Sequence, residues 1–565
     1  MSRKGKTSQP APTVSPVELT MDLFAPGMTP LHRAGLGGLA CTLKYIERAY
    51  DRGELSDDEV PGGPWDGGHP PWLMGAHTII LKWGNTPKDY LEKLFALAYQ
   101  TGDDEVILMR GQYGDNTPSL EIRAALQDGL LRSFYDHGPQ SRGIGEGRSG
   151  QITVDDKPLS YQYVPVKWYK HQRDGAKLAF ASLDGAQDIS RMIYPGATER
   201  HNGVAGTSWA EPALTLIPLL FAPVGCIALR AGGKEVRIQG KKMFKPGAVI
   251  LIPDIQDIAC GLVLIPALVP GNVQATRVLG SSDAVLDAEV RLRASAYHEL
   301  SGLAGIRTLW CCATTWNARL QPPSATHYLD QRTANVRMLD QYATARTEMP
   351  PRIAQTTKRE NAGRGKNKIT TEHVEYFWAE SNVRPLVADN LAAGKPWYLG
   401  FHKLMGGSVK QKDSHCRKTA FERKGLHAMV QKMTWDDDAE RSIVEAVHEA
   451  VRGRYGKIAE ENKGKPVAMK NRWAGEYDHW RLTFVGAKTA DQFRSAFANL
   501  VSRSKNKTLM EAWRSILPLL RPDKWQLARD LSLLALASYG GKGNGNGNGN
   551  GNDDNPLLQQ EGNTL

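Results

Sequence analysis

Apolar residues recur every three or four positions in several stretches of this 565-residue chain, the spacing of one helix face. Leu39, Leu43 and Ile46 predict a helix over Leu36–Tyr50. Leu91, Leu94, Phe95 and Ala98 predict another over Asp89–Tyr99, and Val285, Leu286, Val290, Leu292 and Ala296 a third over Ala284–Leu300. Between them the pattern changes to alternation and short apolar runs, which read as strands. These runs cover residues 151–156 (QITVDD), 159–169 (LSYQYVPVKWY), 177–183 (KLAFASL) and 235–254, where Gly240 separates two halves. Beyond residue 434 the helical spacing returns. Thr434, ahead of three consecutive Asp residues, is a candidate N-cap with acids suited to the helix dipole. Ile443, Val447, Val451 and Tyr455 make one stripe, and Phe493, Phe497 and Leu500 a second. Leu509, Trp513, Ile516 and Leu517 make a third, ended near Pro518, and Trp525, Leu527, Leu531 and Leu534 mark a fourth over Lys524–Ser538.

Helices and strands do not alternate regularly enough for a doubly wound sheet. The pattern predicts an α+β protein, a large mixed N-terminal domain followed by a C-terminal helical bundle. A chain of this length exceeds one compact core. Residues 1–16 read as a polar, disordered leader, 17–350 as the mixed domain, 351–425 as a basic junction and 426–540 as the bundle. Residues 541–565 form a Gly/Asn tail of low complexity, expected to be disordered. Trp65 and Trp72 stud a Pro/Gly loop over 59–72, and with Trp83 they are read as packing residues.

Charge sharpens the picture. The chain has 71 Lys and Arg against 60 Asp and Glu, a net charge of +11, so its expected partners are anionic: nucleic acid first, an acidic membrane surface second. Residues 351–425 hold fifteen Lys/Arg and seven Asp/Glu, most of the surplus in a small part of the length. The leader lacks the apolar core of a signal peptide, and the longest apolar stretch, 213–229, is broken by Pro and Gly. Neither terminus carries a basic amphipathic helix, which argues against a membrane partner, and the expected location is cytoplasmic. The six cysteines, Cys41, Cys226, Cys260, Cys311, Cys312 and Cys416, include no CxxC, so neither a disulfide framework nor a zinc cluster is indicated.

Catalytic signatures are missing: there is no P-loop, no HExxH, no GxSxG and no His followed by Asp. Cys311-Cys312 sits in an apolar run and reads as core. Gly145, Gly147 and Gly150 satisfy GxGxxG, but a polar loop precedes them and a strand-like run follows, the wrong context for a dinucleotide fingerprint. The glycine-rich loop 138–150 holds Arg142 and Arg148, which can contact phosphates or base edges; a solvated surface loop is the ordinary alternative. The strongest basic run, 356–373, contains Lys358, Arg359, Arg364, Lys366 and Lys368 among Gly and Asn, and 408–425 repeats the pattern with Lys410 and Lys412. Such segments suit phosphate contacts, or a flexible linker. Arg200, His201 and Asn202 stand in a polar loop and can read bases or bind phosphate. No metal or cofactor is expected, and the chain is read as a binding protein without a catalytic centre. A metal-dependent nuclease acting on DNA is the alternative, with Asp136, His137, Asp254 and Asp257 as scattered candidates that follow no metal-site spacing.

The run LTMDLFAPGMTPLHRAGLGGLACTL (Leu19–Leu43) resembles the start of the large subunits of the Myxococcus-type branch of type I CRISPR-associated complexes, allied to type I-B. PPWLMG at 70–75, the chain length and the domain order agree with that family. The resemblance implies the large subunit of an RNA-guided DNA-recognition complex (Cascade). Such a subunit sits at the 5′-handle end of the guide RNA, reads a protospacer-adjacent motif in target double-stranded DNA and stabilises the R-loop. The implied partners are guide RNA and the handle-binding, backbone and small subunits, with a helicase-nuclease or, in some members, a transposition adaptor. In several such families an internal start yields a separate small subunit; Met429 and Met433 precede the bundle here.

Overall fold

The computed structural model describes residues 17–135, 142–189, 210–238, 241–294, 303–312, 326–330, 335–362, 369–408, 414–502 and 507–540. The chain divides into two compact units, Met1–Thr153 with Ser160–Ala334, and Val154–Leu159 with Asn335–Leu565.

In the first unit the central helix is α1 (Pro30–Asp51). Pro30 opens it at the position where its missing N–H is not needed. Just ahead, Thr29 and His32 cap reciprocally, the Thr29 amide donating to His32 Nδ1 at 3.2 Å. The helix therefore starts before Leu36, since the cap precedes the apolar repeat. Leu31, Leu36, Leu39, Leu43 and Ile46 are buried. Gly35 and Gly38 meet the backbone of residues 218–225. A Cβ on Gly35 would stand 1.9 Å from the Pro218 carbonyl oxygen, one on Gly38 2.5 Å from the Gly225 amide, and one on Gly225 1.8 Å from the Ala34 carbonyl. Only glycine allows this backbone-to-backbone approach.

Around α1 lie α2 (Pro87–Ala98), α3 (Leu120–Leu131), α4 (Lys170–Ala181), α5 (Ala213–Leu220), α6 (Ile258–Leu268) and α7 (Ser281–Ala294). A small antiparallel sheet joins β1 (Glu18–Asp22), β2 (Trp72–Met74) and β3 (Thr78–Lys82) in the order β1-β3-β2. Trp65, Trp72 and Trp83 are all buried, as packing residues should be. Next come β4 (Arg142–Ile144), β5 (Arg148–Val154), β6 (Lys157–Tyr163) and β7 (Val166–Tyr169). Asp155 and Asp156, both at positive φ (49° and 60°), turn β5 into β6, the backbone of a tight hairpin. The run 177–183 is helical rather than extended: it continues α4, whose His171, Gly175 and Ala179 are buried at a helical interval. A short apolar run fits either period, and packing decides.

The larger sheet holds β8 (Ile227–Ile238), β9 (Lys241–Ile255), β10 (Leu303–Cys312) and β11 (Thr326–Asp330), antiparallel in that order, with Arg277–Val278 parallel to the outer edge of β8. Residues 226–229 and 247–255 are buried without alternation. Strands covered on both faces read as continuous apolar runs, and here α1, α3 and α7 pack against them.

The second unit begins with α8 (Val336–Glu348) and the long hairpin β12 (Arg352–Ala362) and β13 (Ile369–Ala379). It continues through α9 (Arg384–Ala392), α10 (His415–Phe421), α11 (Arg423–Lys432), α12 (Asp438–Glu461), α13 (Pro466–Gly486), α14 (Ala490–Ser502), α15 (Lys507–Ile516) and α16 (Trp525–Ser538). Helix α16 is buried round nearly its whole circumference, as an inner helix is, and α11, α12 and α13 pack on it. The cap of α12 is Asp437, whose carboxylate accepts from the Ala439 amide at 3.0 Å, and not Thr434. Met429 and Met433 are both buried. The protein is thus α+β with a helical C-terminal part. Among the described residues no helix is long and apolar enough to cross a membrane.

Candidate nucleic-acid interface

Two of the sequence candidates lie in the first unit. Arg142 stands on β4, and its guanidinium donates to the carbonyls of Leu131 and Tyr135, tying that strand to the end of α3. Arg148 opens β5 and pairs with Glu105, both side chains staying about half exposed. The stretch expected to be one glycine-rich loop contains two strands, since Arg142–Ile144 pairs with β7 and Arg148–Val154 with β6. Gly150 sits within β5, where a Cβ would stand 2.4 Å from the Tyr161 ring. Its small size seats an aromatic side chain.

The basic run of the second unit is hairpin rather than coil. Register places Lys358 opposite His373 and Arg359 opposite Glu372. The six residues that join β12 to β13 in the chain read Gly-Arg-Gly-Lys-Asn-Lys, so Arg364, Lys366 and Lys368 fall outside the described residues. Arg200, His201, Asn202, Lys410 and Lys412 also fall outside them. Of the basic run, Lys358 and Arg359 lie within the described part of β12. Beyond them on the hairpin, Val374 and Phe377 of β13 are exposed at 51% and 47%.

A second basic hairpin is one that strand pattern alone does not single out. Residues 234–245, the outer part of β8 and β9, carry Lys234, Arg237, Lys241, Lys242 and Lys245 against one acid, Glu235. Register sets Lys234 opposite Lys245 and Arg237 opposite Lys242. The signal in the sequence is charge density, overlaid on a stretch that otherwise reads simply as two strands.

The nuclease candidates are not grouped. Asp254 accepts from Arg33 Nε at 2.7 Å, and Asp257 caps α6 by accepting from the Ala259 amide at 2.7 Å. Asp136 and His137 lie outside the described residues. Among the described residues no cluster of His, Cys, Asp and Glu is arranged to hold a metal. Burial pushes the Cys41 thiol up to about 12 and that of Cys260 to about 11, so neither is a ready thiolate.

Comparison with known proteins shows the family. Residues 20–220 match the DevT N-terminal domain and residues 431–564 the DevT C-terminal domain. The chain is 32% identical over 556 residues to the CRISPR-associated protein Cas8a1/Csx13 of Myxococcus xanthus strain DK1622, a match that covers 95% of this chain and 91% of that protein. The class is that of the large subunits of type I CRISPR-associated Cascade complexes. Within it, the chain belongs to the Myxococcus-type DevT family.

Proposed function

We propose that this large subunit reads a protospacer-adjacent motif in duplex DNA, contacts the 5′ handle of the guide RNA and steadies the R-loop. The observation that carries the reading is similarity along nearly the whole chain to a CRISPR-associated protein of this class. In such a complex base pairing reads the target sequence, while protein reads a short duplex motif and the backbone. That division of labour calls for cationic surfaces without a catalytic centre. Lys358, Arg359, Arg364, Lys366, Lys368, Lys410 and Lys412 are assigned to phosphate contacts, and Arg148, Arg200, His201 and Asn202 to the duplex or the guide handle. Arg142 contributes by fixing β4, since its guanidinium is engaged by backbone carbonyls. DNA cleavage, or integration in a transposon-associated system, belongs to another component.

The test is co-expression with the neighbouring subunits and a guide locus, pull-down on this chain, and sequencing of bound RNA. The loaded complex is then challenged with target duplexes whose flanking positions are randomised. Recovery of a uniform guide RNA and selection of a short flanking motif is the expected result. Replacing Lys358, Arg359, Arg364, Lys366 and Lys368 by Ala flattens the salt dependence by roughly 0.9 for each phosphate no longer neutralised. Recovery of this chain alone, with no RNA and no partner subunits, would sink the reading.

A further inference from the structure

The last turns of α1 carry a cationic face. Lys44, Arg48 and Arg52 are spaced i, i+4, i+8 and so share one side of the helix. With Tyr45, and with Arg110 and Asp115 from the segment that follows the strand at Ile107–Leu108, they line an open pocket in the first unit whose cavity volume is about 60 Å³. Its floor includes Leu262 and Pro266 of α6. None of these residues belongs to the surfaces assigned above.

The pocket wall is unbalanced in charge. Four cations line it against a single carboxylate, Asp115. Arg48 Nη1 meets Asp115 Oδ1 at 2.6 Å. Lys44 pairs at 2.7 Å with Glu47, and Arg52 at 2.7 Å with Glu54, acids that do not line the pocket. Arg110 donates to Gln100 Oε1 at 3.2 Å and lies over the Tyr45 ring, 5.9 Å from its centre, with no carboxylate at ion-pair distance among the described residues. A guanidinium has more N–H donors than one carboxylate takes up, and only one or two on each of these arginines are engaged. Ion pairs this exposed hold weakly, while a concavity lined by one sign of charge focuses its field on an entering anion.

We propose that this pocket binds a phosphate of a nucleic-acid strand. Arg48 and Arg52 approach it from α1 and Arg110 from the facing turn. Tetrahedral phosphate presents oxygens to donors from two directions at once, and arginine matches that geometry in paired hydrogen bonds. Lys44 adds a point charge. The Tyr45 hydroxyl, protonated at neutral pH as phenols are, is a further donor. The ligand is an internal phosphodiester or a terminal phosphomonoester, which share this chemistry. The inference rests on the nucleic-acid reading of the function but on none of the residues used for it.

The experiment is fluorescence anisotropy on the full chain with labelled RNA and DNA oligonucleotides, each with and without a 5′-phosphate, across a salt series. For R48E/R52E/R110E the expected result is affinity about tenfold weaker at matched salt, with a log–log salt slope shallower by about one to two. Weaker binding of both kinds of oligonucleotide marks an internal phosphodiester, and weaker binding of the phosphorylated ones alone marks a terminal phosphate. Arg52→Gln, at a half-exposed position, keeps the question answerable if the triple variant does not fold; about threefold weaker binding is expected. Wild-type binding with unchanged affinity and slope in either folded variant overturns the pocket and leaves the proposed function standing. Absence of binding by the wild-type chain overturns the pocket, while the proposed function is decided by the loaded complex.

Discussion

Helices α1 and α16 are the inner helices of their units; both use a buried carboxylate contact, Arg33 to Asp254 in the first, and α1 adds a close backbone approach that α16 lacks. α1 lies backbone to backbone against residues 218–225, through Gly35, Gly38 and Gly225. α16 reaches its neighbouring loop with a charge. Asp530, 1% exposed, accepts from the Gly400 amide at 2.6 Å and the His402 amide at 3.2 Å, and lies 2.8 Å from His402 Nδ1. Elsewhere in the second unit the device recurs. Glu422 accepts from the Asn382 amide at 2.8 Å and the Val383 amide at 3.2 Å, and Arg481 donates to the carbonyls of Met405 at 2.6 Å and Gly407 at 2.9 Å. Buried irregular backbone has no ladder of its own and must find partners. In the first unit the glycine contacts are added to such bonds: Gln112 donates to the carbonyls of Pro223, Val224 and Cys226, and Arg142 to those of Leu131 and Tyr135. In the second, helices must support loops, and buried charged groups do it.

The contrast can be broken at either helix. Asp530→Ala takes the carboxylate from the buried Gly400 amide and leaves the buried Arg529, 3.4 Å away, without its partner, and should lower stability by about 3–5 kcal/mol. Chemical denaturation gives the loss, and faster hydrogen exchange at 398–405 localises it. A loss no larger than that of a surface substitution would show that the carboxylate is dispensable. Gly225→Ala in the first unit should cost about 1–3 kcal/mol through overpacking, read by the same denaturation. Ordinary exchange around 30–40 and 218–226 in that variant would show that the close approach relaxes freely.

Acid separates the units by one histidine each. His171 is fully buried, neither ring nitrogen has a hydrogen-bond partner, and Tyr99 and Tyr135 pack on it at 5.2 and 5.4 Å. Burial lowers its pKa from 6.5 to about 3. In the second unit, burial lowers that of His448 to about 4. The unfolded chain binds the proton more readily in both cases. Their stability contribution is therefore complete above pH 6.5 and is lost as pH falls toward 3 and 4, at most about 1.4 kcal/mol per pH unit for each. His171→Phe should flatten the acid response at first-unit amides only, followed by hydrogen exchange against pH. An unaltered response would mean that other groups govern it. The smallest effect has the opposite sign to Gly225→Ala. Gly456, inside α12, has open space where a Cβ would stand, so Gly456→Ala should stabilise the second unit by about 0.5–1 kcal/mol. A destabilised variant would contradict that.

Stripes of apolar residues located the helices best where one face is buried throughout, as in α1, α12 and α14. Helix α13 carries no such stripe: its buried side chains, Tyr477, Trp480, Arg481 and Phe484, fall in its second half and include a charge. Among the acids before α12, sequence cannot tell which will cap, because capping depends on where the backbone turns. The candidate interface was legible as charge and not as placement. Lys358 and Arg359 stand out by density, while the opposed cations of β8 and β9 become visible only once register is known. The α1 face was present as the i, i+4, i+8 spacing of Lys44, Arg48 and Arg52, but Arg110 joins it from a distant part of the chain.

By itself the sequence determined what is local or additive: most of the helices, the α+β class, the basic surplus and the family resemblance of Leu19–Leu43. Periodicity and net charge are sums over neighbouring residues, so they survive without the fold. Only the tertiary structure decided which groups meet. Arg33 finds Asp254, Gly38 finds Gly225 and Asp530 finds Gly400 across long stretches of chain. Such pairings arise when packing excludes water and forces each buried polar group to a partner, a constraint that acts through space and leaves little trace in sequence order.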